Sequence, residues 1–175
     1  MMRHILAVCF DFGDTLADEA TEVKDETMTT VRAELIPGAG EVVRRLKQSG
    51  YKVALVADGR PGTYYNVLSQ HGLYELFDAF AISEHLGVEK PDARMFTAAL
   101  DQLGIGRVDY GRTIMVGNYL ARDVKGANQV GMISVWLDWS PRRPKVPADD
   151  SEIPDFTIKE PLELLHLVNC LEQRA

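Results

Sequence analysis

Short apolar runs recur along this chain, and stretches of helical period separate them. Ile5–Phe10, Val53–Ala57, Thr113–Val116 and Ile133–Leu137 lack the polar residue at every second position that a half-exposed strand shows. Strands of this kind must be covered on both faces, as parallel strands are between two helix layers. The intervening segments supply those layers. Gly40–Ser49 carries Val42, Val43 and Leu46 at helical spacing and ends at Gly50, and Thr63–His71 is closed by Gly72. Pro91–Leu103 opens with proline in its first turn and stops at Gly104, Arg122–Gln129 ends near Gly131, and Pro161–Glu172 forms a last helix. Ala79–Ser83 adds a shorter strand and Phe156–Lys159 an edge strand. The alternation predicts an α/β fold, a Rossmann-like doubly wound parallel sheet of about five strands with helices on both faces.

Two segments break the rhythm. Residues 18–36 are rich in Glu, Asp and Thr, with a helical pattern around Thr27–Leu35. Residues 138–154 carry four prolines and both signs of charge, which reads as a long surface loop, a lid or a subunit contact. The whole of 1–175 is expected to be one domain, with 18–36 a short insert.

Composition narrows the partners. A net charge of −7 argues against nucleic acid and against anionic membranes, and the basic patch Arg142, Arg143 and Lys145 is too short to reverse this. No stretch is apolar for long enough to span a bilayer, and Ile5–Phe10 is too short for a signal peptide. Cys9 and Cys170 lie in apolar surroundings and read as reduced thiols, so the expected location is cytoplasmic. His4, His71, His85 and His166 have no metal or triad spacing, and structural or surface roles are expected of them. Trp136 is expected to pack in the core, and Trp139 to pack or to line a lip of the loop.

In doubly wound folds ligands collect at the carboxyl ends of the strands, where Asp11, Asp58 and Asn118 fall. Four segments stand there in order: Asp11-Phe12-Gly13-Asp14-Thr15-Leu16, then Leu55-Val56-Ala57-Asp58-Gly59, then Glu89-Lys90-Pro91-Asp92, then Val116-Gly117-Asn118 with Asp123 five residues on. Together they resemble the four motifs of the haloacid dehalogenase (HAD) superfamily of hydrolases over essentially the whole chain. A receiver-like signalling domain also pairs a strand-end Asp with a Lys, but the Lys-Pro-Asp helix start and the Gly-Asn-x4-Asp run favour the hydrolases.

The resemblance implies phosphoryl transfer through an aspartyl-phosphate, with Asp11 as nucleophile and Lys90 neutralising charge on Asp11 and on the transferred group. It implies Mg²⁺, held by Asp11, the backbone carbonyl of Gly13 and Asn118, with Asp123 at the metal site. Phosphate contacts carry over to Thr15, Asp58 and Lys90. With no cap domain evident, it implies an open site for a large phosphorylated substrate, or one closed over by a second copy in a homo-oligomer.

Three positions depart from the pattern. The second Asp of the first motif, the usual acid/base, is Gly13, and Asp14 one residue later is either a displaced acid/base or a turn residue capping the backbone. Ala57 stands where a phosphate-binding hydroxyl is usual, and Asn118 replaces an acidic metal ligand. Asp58 reads equally as a site residue or as a helix cap, and Asp123 also as an N-cap. The expected function is a Mg²⁺-dependent phosphatase. The alternative is a catalytically impaired binding or scaffold protein of the same fold.

Overall fold

The computed structural model describes residues 4–173, so residues 1–3 and 174–175 of the expected domain lie outside the described residues. Six parallel strands form the main sheet. In chain order they are β1 (Ala7–Phe10), β4 (Lys52–Ala57), β5 (Ala79–Ile82), β6 (Thr113–Gly117), β7 (Ile133–Leu137) and β8 (Phe156–Ile158). Strands β2 (Val23–Lys24) and β3 (Thr30–Arg32) pair separately as an antiparallel hairpin. The helices are α1 (Ala39–Gln48), α2 (Pro61–Gln70), α3 (Ser83–Leu86), α4 (Ala93–Gln102), α5 (Lys125–Val130) and α6 (Glu163–Glu172). Across the sheet the order is β5-β4-β1-β6-β7-β8. The chain therefore winds outward one way from β1 and returns to wind the other way from β6, which makes the β1/β6 boundary the topological switch point.

Period-two alternation sends successive β1 side chains into different layers. Val8 and Phe10 join the core beneath α1, α2 and α6, with Val43, Leu68 and Val168. Ala7 and Cys9 face the layer of α4 and α5, with Phe96, Leu100 and Ala127. Trp136 is buried with Leu120 and Val124, and Trp139 packs partly buried against the first core. Cys9 is buried and Cys170 half-buried, and neither forms a disulfide. Among the described residues no helix is long and apolar enough to cross a membrane.

The edge strand brings the sheet to six strands rather than about five. The pattern around Thr27–Leu35 is not a helix but the hairpin β2–β3. Asp25 Oδ1 accepts from the backbone N–H groups of Thr27 and Thr29 and from the Thr27 hydroxyl, so local side-chain bonds hold a tight turn where a helix would need its own ladder. The hairpin is fastened to α2, with Thr30 N–H donating to Thr63 Oγ1 and the Asn66 amide to the Thr30 carbonyl. Helix α4 starts at Ala93 because the Asp92 side chain accepts from Arg94 N–H, which fixes Asp92 as the cap. The fourth-motif helix begins earlier than its pattern, as a wide π-type turn over Leu120–Val124 running into α5.

The loop 138–154 folds inward. Arg142 reaches Asp14 with two bonds of 2.7 Å, from Nε and Nη2, and Nη2 also donates to Asp18 Oδ1 at 2.9 Å. Asp14 is buried, and its φ of 53° places it in the left-handed region that Asp tolerates when its side chain bonds locally, here accepting from Glu19 N–H. Burial alone would raise the Asp14 carboxyl, but Arg142, the Ser140 hydroxyl and Glu19 N–H outweigh it and hold it below its usual range. Arg142→Ala leaves this carboxylate buried without its bidentate partner, and the expected loss is about 2–3 kcal/mol of stability. A lowered carboxyl stabilises the fold above its unfolded value near about pH 4, and that contribution fades as pH falls through the lower native value. Urea unfolding should therefore show the full gap between parent and variant at pH 7, and a shrinking one as the pH falls below about 4.

Candidate active site

Asp11 follows β1 directly, and its N–H donates to the Val116 carbonyl of β6, which seats it at the switch point. Thr15 Oγ1 donates to Asp11 Oδ2 at 3.0 Å and Lys90 Nζ to Asp11 Oδ1 at 2.7 Å, so each carboxylate oxygen has a donor. Thr15 thus aligns the carboxylate.

Lys90 is buried at 4% exposure, and its ammonium completes three bonds: to Asp11, to Asp123 Oδ1 at 2.7 Å and to the Val56 carbonyl at 2.8 Å. Burial works against this charge, but Asp11, Asp123 and Asp58 together raise the pKa above that of a free lysine.

Asp123 is buried, and its second oxygen accepts from Tyr119 N–H at 3.0 Å. Burial, and then the charge of Asp11, push its carboxyl upward, while Lys90 and Tyr119 N–H pull it back. Both Asp123 oxygens are engaged, one by Lys90 and one by Tyr119 N–H, and the residue lines the cleft beside Asp11. Gly117 leaves room for it, since a Cβ there would come within 2.2 Å of the Asp123 Cγ.

Asp58 is similarly engaged, accepting from Lys90 N–H at 2.9 Å and from Arg122 Nη1 at 3.0 Å. An ionised carboxylate has nothing to donate to a phosphate oxygen. The expected phosphate contact at Asp58 is replaced by the positioning of Lys90 and Arg122. Asp14, held by Arg142, does not line the cleft, so the capping reading describes its place and the displaced acid/base reading does not.

The cleft over Asp11 has a volume of ≈ 630 Å³. Its floor is Asp11, Gly13, Lys90 and Asn118, and the hairpin with its preceding turn supplies one wall. Lys24, Arg60, Arg122 and Arg143 also line it, and Glu19, Glu22, Asp58 and Asp123 stand among them, so the lining carries both signs of charge. Arg143 stacks over the Tyr119 ring at 5.1 Å, and its Nε is buried without a partner among the described residues.

Asn118 is held by its backbone, whose carbonyl accepts from Trp136 Nε1 at 3.1 Å. Its amide head stands 3.2 Å from the Gly13 carbonyl oxygen and 3.0 Å from Asp11 Oδ2. With Nδ2 turned inward it donates to both. With Oδ1 turned inward, that oxygen stands beside the Gly13 carbonyl oxygen and Asp11 Oδ2 at those distances. One carboxylate, one carbonyl and one amide oxygen suit Mg²⁺, which takes one or two carboxylates and keeps several waters. Among the described residues no group of three His, Cys, Asp or Glu side chains is placed to hold a metal ion, so any such site relies on carbonyl and amide oxygens.

Glu19 escaped the sequence reading. It opens a 3₁₀ turn, Glu19–Thr21, capped by the Asp18 side chain, and it lines the cleft. A Cβ built on Gly13 would lie 2.3 Å from Glu19 Oε1, so the glutamate carboxylate fills the space that a side chain at position 13 would need. Burial, then the charge of Asp14, raise its carboxyl above the ordinary range. Arg143 Nη2 approaches Oε1 at 3.4 Å. Arg142 and Arg143 stood out in the sequence only as a basic patch. No local spacing ties either arginine to residues 14–19.

A haloacid dehalogenase-like hydrolase family model matches residues 11–131, and the chain belongs to that family. It is 32% identical over 135 residues to glyceraldehyde 3-phosphate phosphatase of Methanopyrus kandleri, a match covering 77% of this chain and 57% of that protein. It is also 32% identical over 127 residues to phosphoserine phosphatase of Thermus thermophilus, covering 73% of this chain and 48% of that protein. The chain thus spans about half the length of these curated relatives. The HAD-hydrolase YfnB of Bacillus subtilis, solved bound to magnesium, superposes with a TM-score of 0.75 at 20% identity, covering 94% of this chain and 99% of that one. That likeness shows the doubly wound fold.

Proposed function

We propose that this chain is a Mg²⁺-dependent phosphomonoesterase working through an aspartyl-phosphate on Asp11. The observation that carries the reading is the Asp11 carboxylate at the switch point, aligned by Thr15 and paired at 2.7 Å with a buried lysine, on the floor of a polar cleft. The phosphatase relatives support the reaction class.

Asp11, the Gly13 carbonyl and Asn118 would hold Mg²⁺, which would supply positive charge to offset an incoming phosphate and polarise its oxygens. The residues do the rest. Thr15 fixes the rotamer of Asp11, so that its carboxylate faces the cleft. Asp11 attacks phosphorus in line, and the bond to the leaving oxygen breaks. Lys90 shares its charge between Asp11 and the transferred group and is held in place by Asp123, by the Val56 carbonyl and by the Asp58 carboxylate, which accepts from the Lys90 backbone N–H. Water then releases phosphate and regenerates Asp11.

The hairpin wall and the relatives' substrates favour a small phosphorylated metabolite over the large substrate expected of an open site. A cytoplasmic location belongs to the same reading, supported by the two free thiols.

The test is phosphate release from p-nitrophenyl phosphate, glyceraldehyde 3-phosphate, phosphoserine and a wider ester panel, with Mg²⁺ or with EDTA. Turnover with Mg²⁺ that EDTA removes is the expected result. Silence on every ester in the presence of Mg²⁺ overturns the proposal.

A further inference from the structure

We infer that Glu19 is the acid/base of this site, taking over from the insert the task that Gly13 cannot perform. The inference rests on the phosphatase reading and adds to it the residue that moves the proton.

The argument is one of mutually exclusive occupancy. Glu19 Oε1 lies 2.3 Å from the position of a Cβ on Gly13, and its Cδ and Cγ lie at 3.0 Å. Residue 13 can carry a side chain, or Glu19 can place its carboxylate there, but not both. Glu19 and Asp11 line the same cleft, so a carboxylate in that volume shares it with an ester whose leaving oxygen points away from Asp11 during in-line attack.

The backbone is built to hold it. Glu19 N–H donates to Asp14 Oδ1 at 3.1 Å, and Asp14 is clamped by Arg142. Asp18 caps the turn by accepting from Ala20 N–H at 2.9 Å and also accepts from Arg142. The side chain of Glu19 is 30% exposed, so it can exchange protons with solvent through the cleft. A carboxylate thus stands against position 13, in the space that a side chain there would enter.

The proton balance closes over two steps. As Asp11 bonds to phosphorus and the ester P–O bond breaks, the Glu19 carboxylic acid gives its proton to the leaving oxygen, which departs as the alcohol. Glu19, now a carboxylate, takes a proton from water as that oxygen bonds to phosphorus and the P–O bond to Asp11 breaks. Inorganic phosphate leaves, and both carboxyl groups return to their starting states.

The experiment compares parent, Glu19→Gln, Glu19→Ala and the double variant Gly13→Asp/Glu19→Ala, all loaded with Mg²⁺. An alkyl phosphate needs its leaving oxygen protonated, whereas p-nitrophenolate leaves well without help. First-turnover release from the alkyl ester should fall about 10²–10⁴-fold in Glu19→Gln, and p-nitrophenolate release by less than about tenfold. Phosphorylated protein should accumulate in Glu19→Gln. The double variant should recover at least about tenfold over Glu19→Ala, since removing the Glu19 side chain opens the space for Asp at 13. Equal losses on both esters, or a parental rate on the alkyl ester in Glu19→Gln, overturn the role of Glu19 while leaving Asp11 standing. A parent silent on both esters overturns the phosphatase reading and this inference together.

Discussion

Asp11→Asn lowers turnover of any phosphate ester the parent hydrolyses by on the order of 10⁴-fold or more, as loss of a covalent nucleophile does elsewhere. The amide keeps the shape of the carboxylate and can still accept from Thr15, so the cleft is preserved while the attacking charge is gone. The fold should tolerate the change. Lys90 retains Asp123 and the Val56 carbonyl as partners, and Asp123 is freed from the repulsion that Asp11 exerts on it. The expected result is an inactive protein whose melting temperature equals or exceeds that of the parent. Phosphate release and differential scanning fluorimetry on the same preparation check both halves. An active Asp11→Asn protein would remove the nucleophile from the proposed mechanism, and an unfolded one would show that Asp11 is structural.

What was legible in the sequence was local. Continuous apolar runs fix buried strands wherever they occur, so β1, β4, β6 and β7 could be read from residues such as Val8, Leu55, Ile114 and Val135 alone. Asp11, Lys90 and Asp123 each sit in a short segment whose neighbours identify it. The hairpin was misread because its two short strands carry no sustained alternation, and its turn is set by the Asp25 side chain. Glu19 and the arginines were beyond reach for a different reason. Asp14 and Arg142 are 128 positions apart, and their pairing is decided by the way the loop after β7 crosses the β1 end. The carboxylate of Glu19 matters because of a missing Cβ at Gly13, and the absence of an atom leaves no periodic mark in a sequence. Gly13 could be seen as a loss, but only the fold shows what occupies the space.

Lys90→Met is expected to damage both the fold and the reaction. The lysine ammonium stands between Asp11 and Asp123 with side-chain exposure of 2%, against 14% and 2% for the two carboxylates. Removing it leaves two acids facing one another with no shared counter-charge, and breaking a buried ion pair on one side costs about 3–5 kcal/mol. The pH dependence has a definite sign. Burial and Asp11 already push the Asp123 carboxyl upward, and losing Lys90 raises it further. A carboxyl raised in the native state favours folding at low pH and loses that contribution as pH climbs through its native value. The stability gap between parent and Lys90→Met should therefore be wide at pH 8 and narrower at pH 5, measured in EDTA so that only protons compete for the carboxylates. Activity should fall by about 10²–10³-fold, because the transferred phosphoryl loses its cationic partner. A uniform gap across that range would mean that Lys90 acts through packing alone. A gap that narrows toward acid identifies the ammonium as the charge that lets two buried carboxylates share one site.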